Sequence, residues 1–192
     1  MSNLTVGIIG NGYVGEAVNY AFSSVVNTKV FDIDPSKCLN TLESVHNSDF
    51  VFVCVPTPMF RDGIQDLSYV KDVFKNSTNK PIYILKSTVL PGTTDKLSSK
   101  YKSLKIIFSP EFLTEKNAKN DIINPSRIVL GGEMSLTNEV KKLFDLRFKN
   151  QKIISTDSKT AELIKYMNNA FLATKVSIMN EFKLLNDKIG SN

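Results

Sequence analysis

Three glycines near the start of the chain, Gly10, Gly12 and Gly15, stand at G-x-G-x-x-G spacing within VGIIGNGYVG. At a strand-to-helix turn this spacing suits a diphosphate. The first glycine permits the tight turn, the second lets the ligand approach the backbone, and the third lets helix and strand pack closely. The free N–H groups at the helix start then face the phosphates. Such a motif alone is weak evidence, but Asp32 follows about twenty residues later, at the end of the next strand-like run. A carboxylate there accepts hydrogen bonds from the hydroxyls of an adenosine ribose and repels a 2′-phosphate. No arginine stands beside it in KVFDIDPSK, so the expected ligand is NAD rather than NADP. Gly10, Asn11, Gly12, Tyr13 and Gly15 would form its cradle and Asp32 its ribose anchor. Asp34 competes for that role but reads as the start of an Asp-Pro turn.

Other chemistry has few side chains to draw on. The single histidine, His46, precedes a strand and is poorly placed as a base, so catalysis would fall to Lys, Asp, Glu, Thr, Asn or water. Cys38 and Cys54 are too few for a disulfide framework and lack metal-site spacing. Both read as reduced thiols, Cys54 buried in a strand, and no metal is expected. Thr57 and Thr88 fall at the C-terminal ends of the third and fourth predicted strands, where open parallel sheets bind ligands. Capping of the following segment is the competing reading. Lys165 and Asn169, four residues apart, share one helix face, which suits either a solvent stripe or a pair of site groups.

The elements that must position these residues alternate. Strands are predicted at Thr5–Ile9, Lys29–Phe31, Phe50–Val55, Ile82–Leu85, Lys105–Phe108, Arg127–Leu130 and Lys152–Ser155. Helices are predicted at Gly12–Ser24, Ser68–Asn76, Thr93–Tyr101 and Thr137–Phe148. Short runs apolar on both faces are the signature of a buried parallel sheet, and alternation with helices predicts an α/β, doubly wound, mostly parallel architecture. From Thr160 a pattern without Pro or Gly runs to Gly190. It predicts one long C-terminal helix, N-capped by Asp157 or Ser158. Its middle is apolar on more than one face (Met167, Phe171, Leu172, Val176, Ile178, Met179), which suits packing along the domain or against a second chain.

With 42% hydrophobic and 22% charged residues, the chain has the composition of a soluble globular protein. The most apolar run, Phe50–Val55, is too short to cross a bilayer, and strand-like sequence from Thr5 leaves no room for a signal peptide. A cytoplasmic setting and no membrane partner are expected. The net charge of +5 comes from dispersed lysines, which argues against nucleic acid.

Five segments in one order carry a resemblance: CVPTP at 54–58, KSTVLPGTT at 86–94, SPEFLTE at 109–115, NPSRIVLGG at 124–132 and ELIKYMNNAFLATKVSIMNE at 162–181. Together they resemble the UDP-glucose/GDP-mannose dehydrogenase family over nearly the whole chain. The resemblance implies a Rossmann NAD-binding domain over residues 1–156, followed at 157–192 by a helix that begins a central dimerisation domain. It implies NAD contacts from Val14, Asp32, Lys37, Thr57, Thr88 and Glu115. The loop Glu111, Phe112, Leu113, Thr114 and Glu115 would line the sugar of a UDP-sugar substrate, with Glu115 working with an active-site water. Lys165 and Asn169 resemble the pair that stabilises oxyanions at the sugar C6, so Lys165, Asn169, Glu115 and Thr88 are the expected catalytic residues. The family departs here in having a longer connection between Asp34 and Phe50 and, more often, Arg at the position of Thr114. Its cysteine nucleophile lies in a Gly-rich motif beyond the central helix, and neither Cys38 nor Cys54 matches it. The expectation is a dehydrogenase chain stopping short of the nucleophile and the UDP-binding domain, paired as a homodimer through its last helix or with a C-terminal-half partner chain. The alternative is a non-catalytic NAD-binding module that associates with a full-length enzyme.

Overall fold

The computed structural model describes residues 4–190. The strands are β1 (Thr5–Ile9), β2 (Asn27–Phe31), β3 (Phe50–Val53), β4 (Ile82–Leu85), β5 (Lys105–Phe108), β6 (Ile128–Gly131) and β7 (Ile153–Thr156). The helices are α1 (Tyr13–Phe22), α2 (Leu42–His46), α3 (Ser68–Lys75), α4 (Thr93–Lys100), α5 (Ala118–Ile123), α6 (Met134–Arg147) and α7 (Ser158–Ile189). The strands form one sheet in the order β2-β1-β3-β4-β5-β6-β7. The first five run parallel, β6 meets β5 antiparallel through Phe108 and Gly131, and β7 follows β6 in parallel. This is the doubly wound, mostly parallel α/β sheet with a long final helix that the sequence predicts.

Every residue of β3, β4 and β6 is buried, because helices cover both sheet faces and leave no solvent side for polar alternation. Ile8, Phe52 and Ile84 point to one face, where α1 and α6 bring Phe22, Val140 and Phe144. The rings of Phe22 and Phe144 meet edge to face at 5.4 Å, a geometry that adds to simple area burial. Val51, Tyr83 and Leu85 point to the other face, under Val70, Phe74, Leu97 and Ala161. There the lone histidine is a core residue: His46 Nδ1 lies 3.0 Å from the Tyr83 hydroxyl, and burial pulls its ring below the usual histidine range.

Several boundaries differ from the sequence reading. β2 begins two residues early, β3 stops at Val53, and α6 begins at Met134. Cys54 is therefore not within a strand but just past one, and only partly buried. The helices α2 and α5 were not anticipated. At five and six residues they are too short for a helical period to register.

The long helix opens on Asp157, whose side chain accepts from Thr160 N at 2.8 Å, and ends at Gly190 with φ +67°. Its 32 residues extend about 48 Å, and only the first turns dock. Ser158, Ala161, Glu162 and Lys165 are buried. Close approach to the sheet depends on Gly131, where a Cβ would come within 2.3 Å of the Ala161 Cβ. From Met167 to Ile189 the large apolar residues are exposed. Among the described residues no helix is long and apolar enough to cross a membrane, and no cluster of His, Cys, Asp and Glu could hold a metal.

Candidate cofactor and catalytic site

Because β1 leads to β2 on one side and its other neighbour β3 leads to β4 on the opposite side, the connections leaving β1 and β3 diverge and open a crevice at the C-terminal ends of these two strands. The glycine loop occupies this place. Gly10 has φ +93°, and a Cβ there would lie 2.8 Å from the Cys54 backbone. A Cβ on Gly15 would sit 1.9 Å from the Gly10 carbonyl oxygen, so helix and loop touch only because it is absent. Gly12 differs: nothing lies within 4 Å of its Cβ direction, and it faces open space at the N-terminus of α1.

Asp32 ties this loop to the end of β2. Its Oδ2 accepts from Asn11 N at 2.6 Å and its Oδ1 from Asp34 N at 2.8 Å. The Asn11 side chain donates to the Lys37 carbonyl at 2.8 Å, closing the loop onto the segment after β2. Asp34 starts a turn, as its sequence suggests, with its Oδ1 accepting from Ser36 N and Oγ. Those bonds hold its carboxyl below the usual range. The Lys37 ammonium is exposed, 3.7 Å from Asp34, and Val14 is half-buried on α1.

Thr57 and Thr88 meet one another. Thr57 Oγ1 donates to the Thr88 carbonyl at 2.7 Å, and Gln65 Nε2 donates to the same oxygen at 2.7 Å. Neither threonine caps a helix: α4 is capped at Gly92 and α3 at Leu67.

Farther along the same sheet edge lies a buried ion pair. Lys165 Nζ, on α7, donates to Glu111 Oε1 at 2.7 Å and to the Glu111 carbonyl at 2.6 Å. Glu111 Oε2 accepts from Leu113 N at 2.7 Å, which curls the loop around the carboxylate. Phe112 packs under two cations, with the Arg127 guanidinium 4.5 Å and the Lys165 ammonium 5.8 Å from its ring centre. Thr114 is fixed by Asp121, whose Oδ2 accepts from both its N–H and its hydroxyl. Glu115 is exposed at the start of a 3-10 turn, Glu115–Asn117. The Tyr13 hydroxyl is held above its ordinary range by burial, then by the negative charges of Glu111 and Glu115. A cavity of about 290 Å³ runs beside Glu111, lined also by Lys86, Arg127, Phe52 and Phe144.

The structure thus brings Lys165 to Glu111. Asn169 it leaves exposed, while its neighbour Asn168 accepts from Arg127 at 3.3 Å. The site also holds Lys86, a buried lysine just past β4 that no sequence motif singles out. Its ammonium donates to the Ser109 carbonyl at 3.0 Å and lies 3.4 Å from Ser109 Oγ and the Pro110 carbonyl. Burial pulls it down to about 8. The available signal was its position, a cation closing an otherwise apolar strand. The nearby Cys54 thiol is pushed by burial up to about 12, so it stays protonated and unreactive.

Comparison with known proteins matches residues 37–146 to the NAD binding domain of the UDP-glucose/GDP-mannose dehydrogenase family and residues 159–192 to that family's central domain. The chain belongs to this family. Its cofactor is NAD. The UDP-glucose 6-dehydrogenase of Rickettsia conorii is 36% identical over 77% of this chain and 36% of its own length. Bacillus subtilis TuaD, also a UDP-glucose 6-dehydrogenase, is 29% identical over 97% of the chain and 50% of its own length. The solved UDP-glucose dehydrogenase of Pyrobaculum islandicum superposes with a TM-score of 0.88 at 25% identity, covering all of this chain and 55% of that one. The chain spans between 26% and 50% of the length of such curated relatives.

Proposed function

We propose that residues 1–156 bind NAD and that residues 157–192 add the catalytic lysine of a nucleotide-sugar dehydrogenase of the UDP-glucose type. Gly10, Asn11, Gly12, Tyr13, Val14 and Gly15 would hold the pyrophosphate. The open face at Gly12 supports this, since a phosphate there meets backbone and no side chain. Asp32 and Lys37 would hold the adenosine end, and Thr57, Thr88 and Glu115 the nicotinamide half. When bound, NAD supplies the hydride acceptor for oxidation of the sugar's C6 alcohol.

One observation carries the catalytic part: the Lys165–Glu111 pair, with both side chains under a tenth exposed. A lysine in a dry pocket is a fixed positive charge for an oxyanion forming at C6. The Glu111 carboxylate, 2.7 Å from that ammonium, would accept the proton that leaves. This geometry favours Glu111 over the exposed Glu115 as the carboxylate working with water, and leaves Glu115 to the cofactor. Asn169 would join the oxyanion site once the exposed part of α7 is covered. Glu111, Phe112, Leu113 and Thr114 would line the sugar. Neither thiol suits a covalent step: Cys54 stays protonated, and Cys38 donates to the Asn40 carbonyl at 3.2 Å, on the adenosine side.

The nucleophile and the uridine contacts would come from another segment or a partner chain. A second copy joined through the apolar length of α7 is the partner its exposed Phe171, Val176, Met179 and Phe182 support. Nothing in the dispersed charge supports a nucleic acid or membrane partner, and a cytoplasmic setting suits a nucleotide-sugar substrate. The test is NADH formation from NAD and UDP-glucose, with and without a chain carrying the family's cysteine motif. Turnover with that partner, abolished by Lys165→Met, is expected. Absence of NADH even with the partner defeats the proposal.

A further inference from the structure

Among the described residues no carboxylate is more deeply buried than Glu162, which has no exposed surface. It lies one turn before Lys165 on the docked face of α7, and its bonds go to another element. Its Oε2 accepts from Gly92 N at 2.5 Å, and its Oε1 accepts from Thr94 N at 2.7 Å and Thr94 Oγ1 at 2.6 Å. The carboxylate thus caps the start of α4 from a separate helix and satisfies N–H groups that α4 itself leaves free. Four residues upstream of Gly92 stands Thr88, in the loop that Thr57 and Gln65 hold.

Docking α7 does not require such a group. Asp157 caps the helix and Ala161 seats against Gly131, so α7 has other anchors, and an apolar side chain at 162 would avoid burying a charge only by leaving the Gly92 and Thr94 N–H groups without this partner. What a fully bonded carboxylate adds is a fixed position. Its three donors set both the rotation and the height of the turn that carries Lys165.

We propose that Glu162 is a positioning residue of the site: it sets where Lys165 meets Glu111 and couples that contact to the Thr88 loop. The proposal rests on the reading of the site given above. Its test uses the whole chain with ¹⁵N-labelled lysine, following the Lys165 ammonium signal by NMR (assigned by its loss in Lys165→Met) alongside calorimetric titration with NAD. In Glu162→Gln and the milder Thr94→Val, Lys165 ammonium exchange should quicken and NAD affinity should fall. Loss of one buried charged hydrogen bond corresponds to about tenfold in each. If Glu162→Gln does not fold, Thr94→Val decides alone. A lowered melting temperature with the Lys165 signal and NAD affinity unchanged overturns the proposal and leaves Glu162 a stabilising cap. A Lys165 signal that responds in a chain that binds no NAD supports the positioning of Lys165 and defeats the cofactor assignment instead.

Discussion

Replacing Lys165 by Met should destabilise the protein far more than a surface lysine would. The ammonium and the Glu111 carboxylate are 6% and 8% exposed at 2.7 Å, so solvent and salt screen the pair weakly. Removing one member leaves the other buried and uncompensated, at a cost of about 3–5 kcal/mol. In a chain of this size that lowers the melting temperature by roughly 6–20 °C. Glu111→Gln should cost less, because its amide oxygen can still accept from Leu113 N. The double variant removes both charges at once. It should be more stable than the sum of the two losses predicts, by about 0.5–3 kcal/mol. Thermal and urea unfolding of the four proteins measures this cycle. Single variants each costing under about 1 kcal/mol, with strictly additive effects, would refute the buried-pair reasoning.

Two glycine substitutions should separate ligand approach from folding. Gly12→Ala, at φ −78° and facing open space, should keep the melting temperature and weaken NAD binding. Gly15→Ala, with its Cβ forced to 1.9 Å from a carbonyl oxygen, should cost about 1–3 kcal/mol or more, read by urea unfolding. Asp32→Ala should lower NAD affinity roughly tenfold to a hundredfold and raise the NADP-to-NAD affinity ratio, both measured by calorimetry. Lys86 is held at about 8 against an ordinary 10.5. Between those values the unfolded chain binds the proton and the folded chain does not. This group therefore makes the protein more stable as pH rises through that window, by about 3 kcal/mol, and contributes no slope below it. Urea unfolding across the window should show that rise and its loss in Lys86→Met. If α7 joins two copies as proposed, sedimentation should show a dimer that Phe171→Asp together with Phe182→Asp converts to monomer; a wild-type chain that sediments as a monomer would refute that pairing.

The sheet and the glycine loop were legible because their signals are local. Phe50–Val53 and Ile82–Leu85 are uninterrupted apolar runs, and the loop's spacing with Asp32 announces the turn that the structure contains. The pairing of Thr57 with Thr88 was half legible: both fall at strand ends, but their hydrogen bond spans 31 residues. Lys165 read equally well as a solvent stripe, since helical spacing does not say which neighbour a face meets. Its partner Glu111 lies 54 residues away, and only the crossing of α7 over β5 and β6 brings them together. Glu162 was opaque for the same reason. A glutamate in the opening turns of a helix usually serves its own dipole, whereas this one serves α4. Lys86 was passed over because a lysine after a strand ordinarily turns to water, and its burial depends on the carbonyls of Ser109 and Pro110.

Calorimetric titration of the whole chain with NAD and, separately, NADP tests the central claim most directly. Saturable binding of one NAD per chain is predicted, with NADP much weaker and both weakened together in Gly12→Ala. No binding of NAD, or a preference for NADP, would contradict the account.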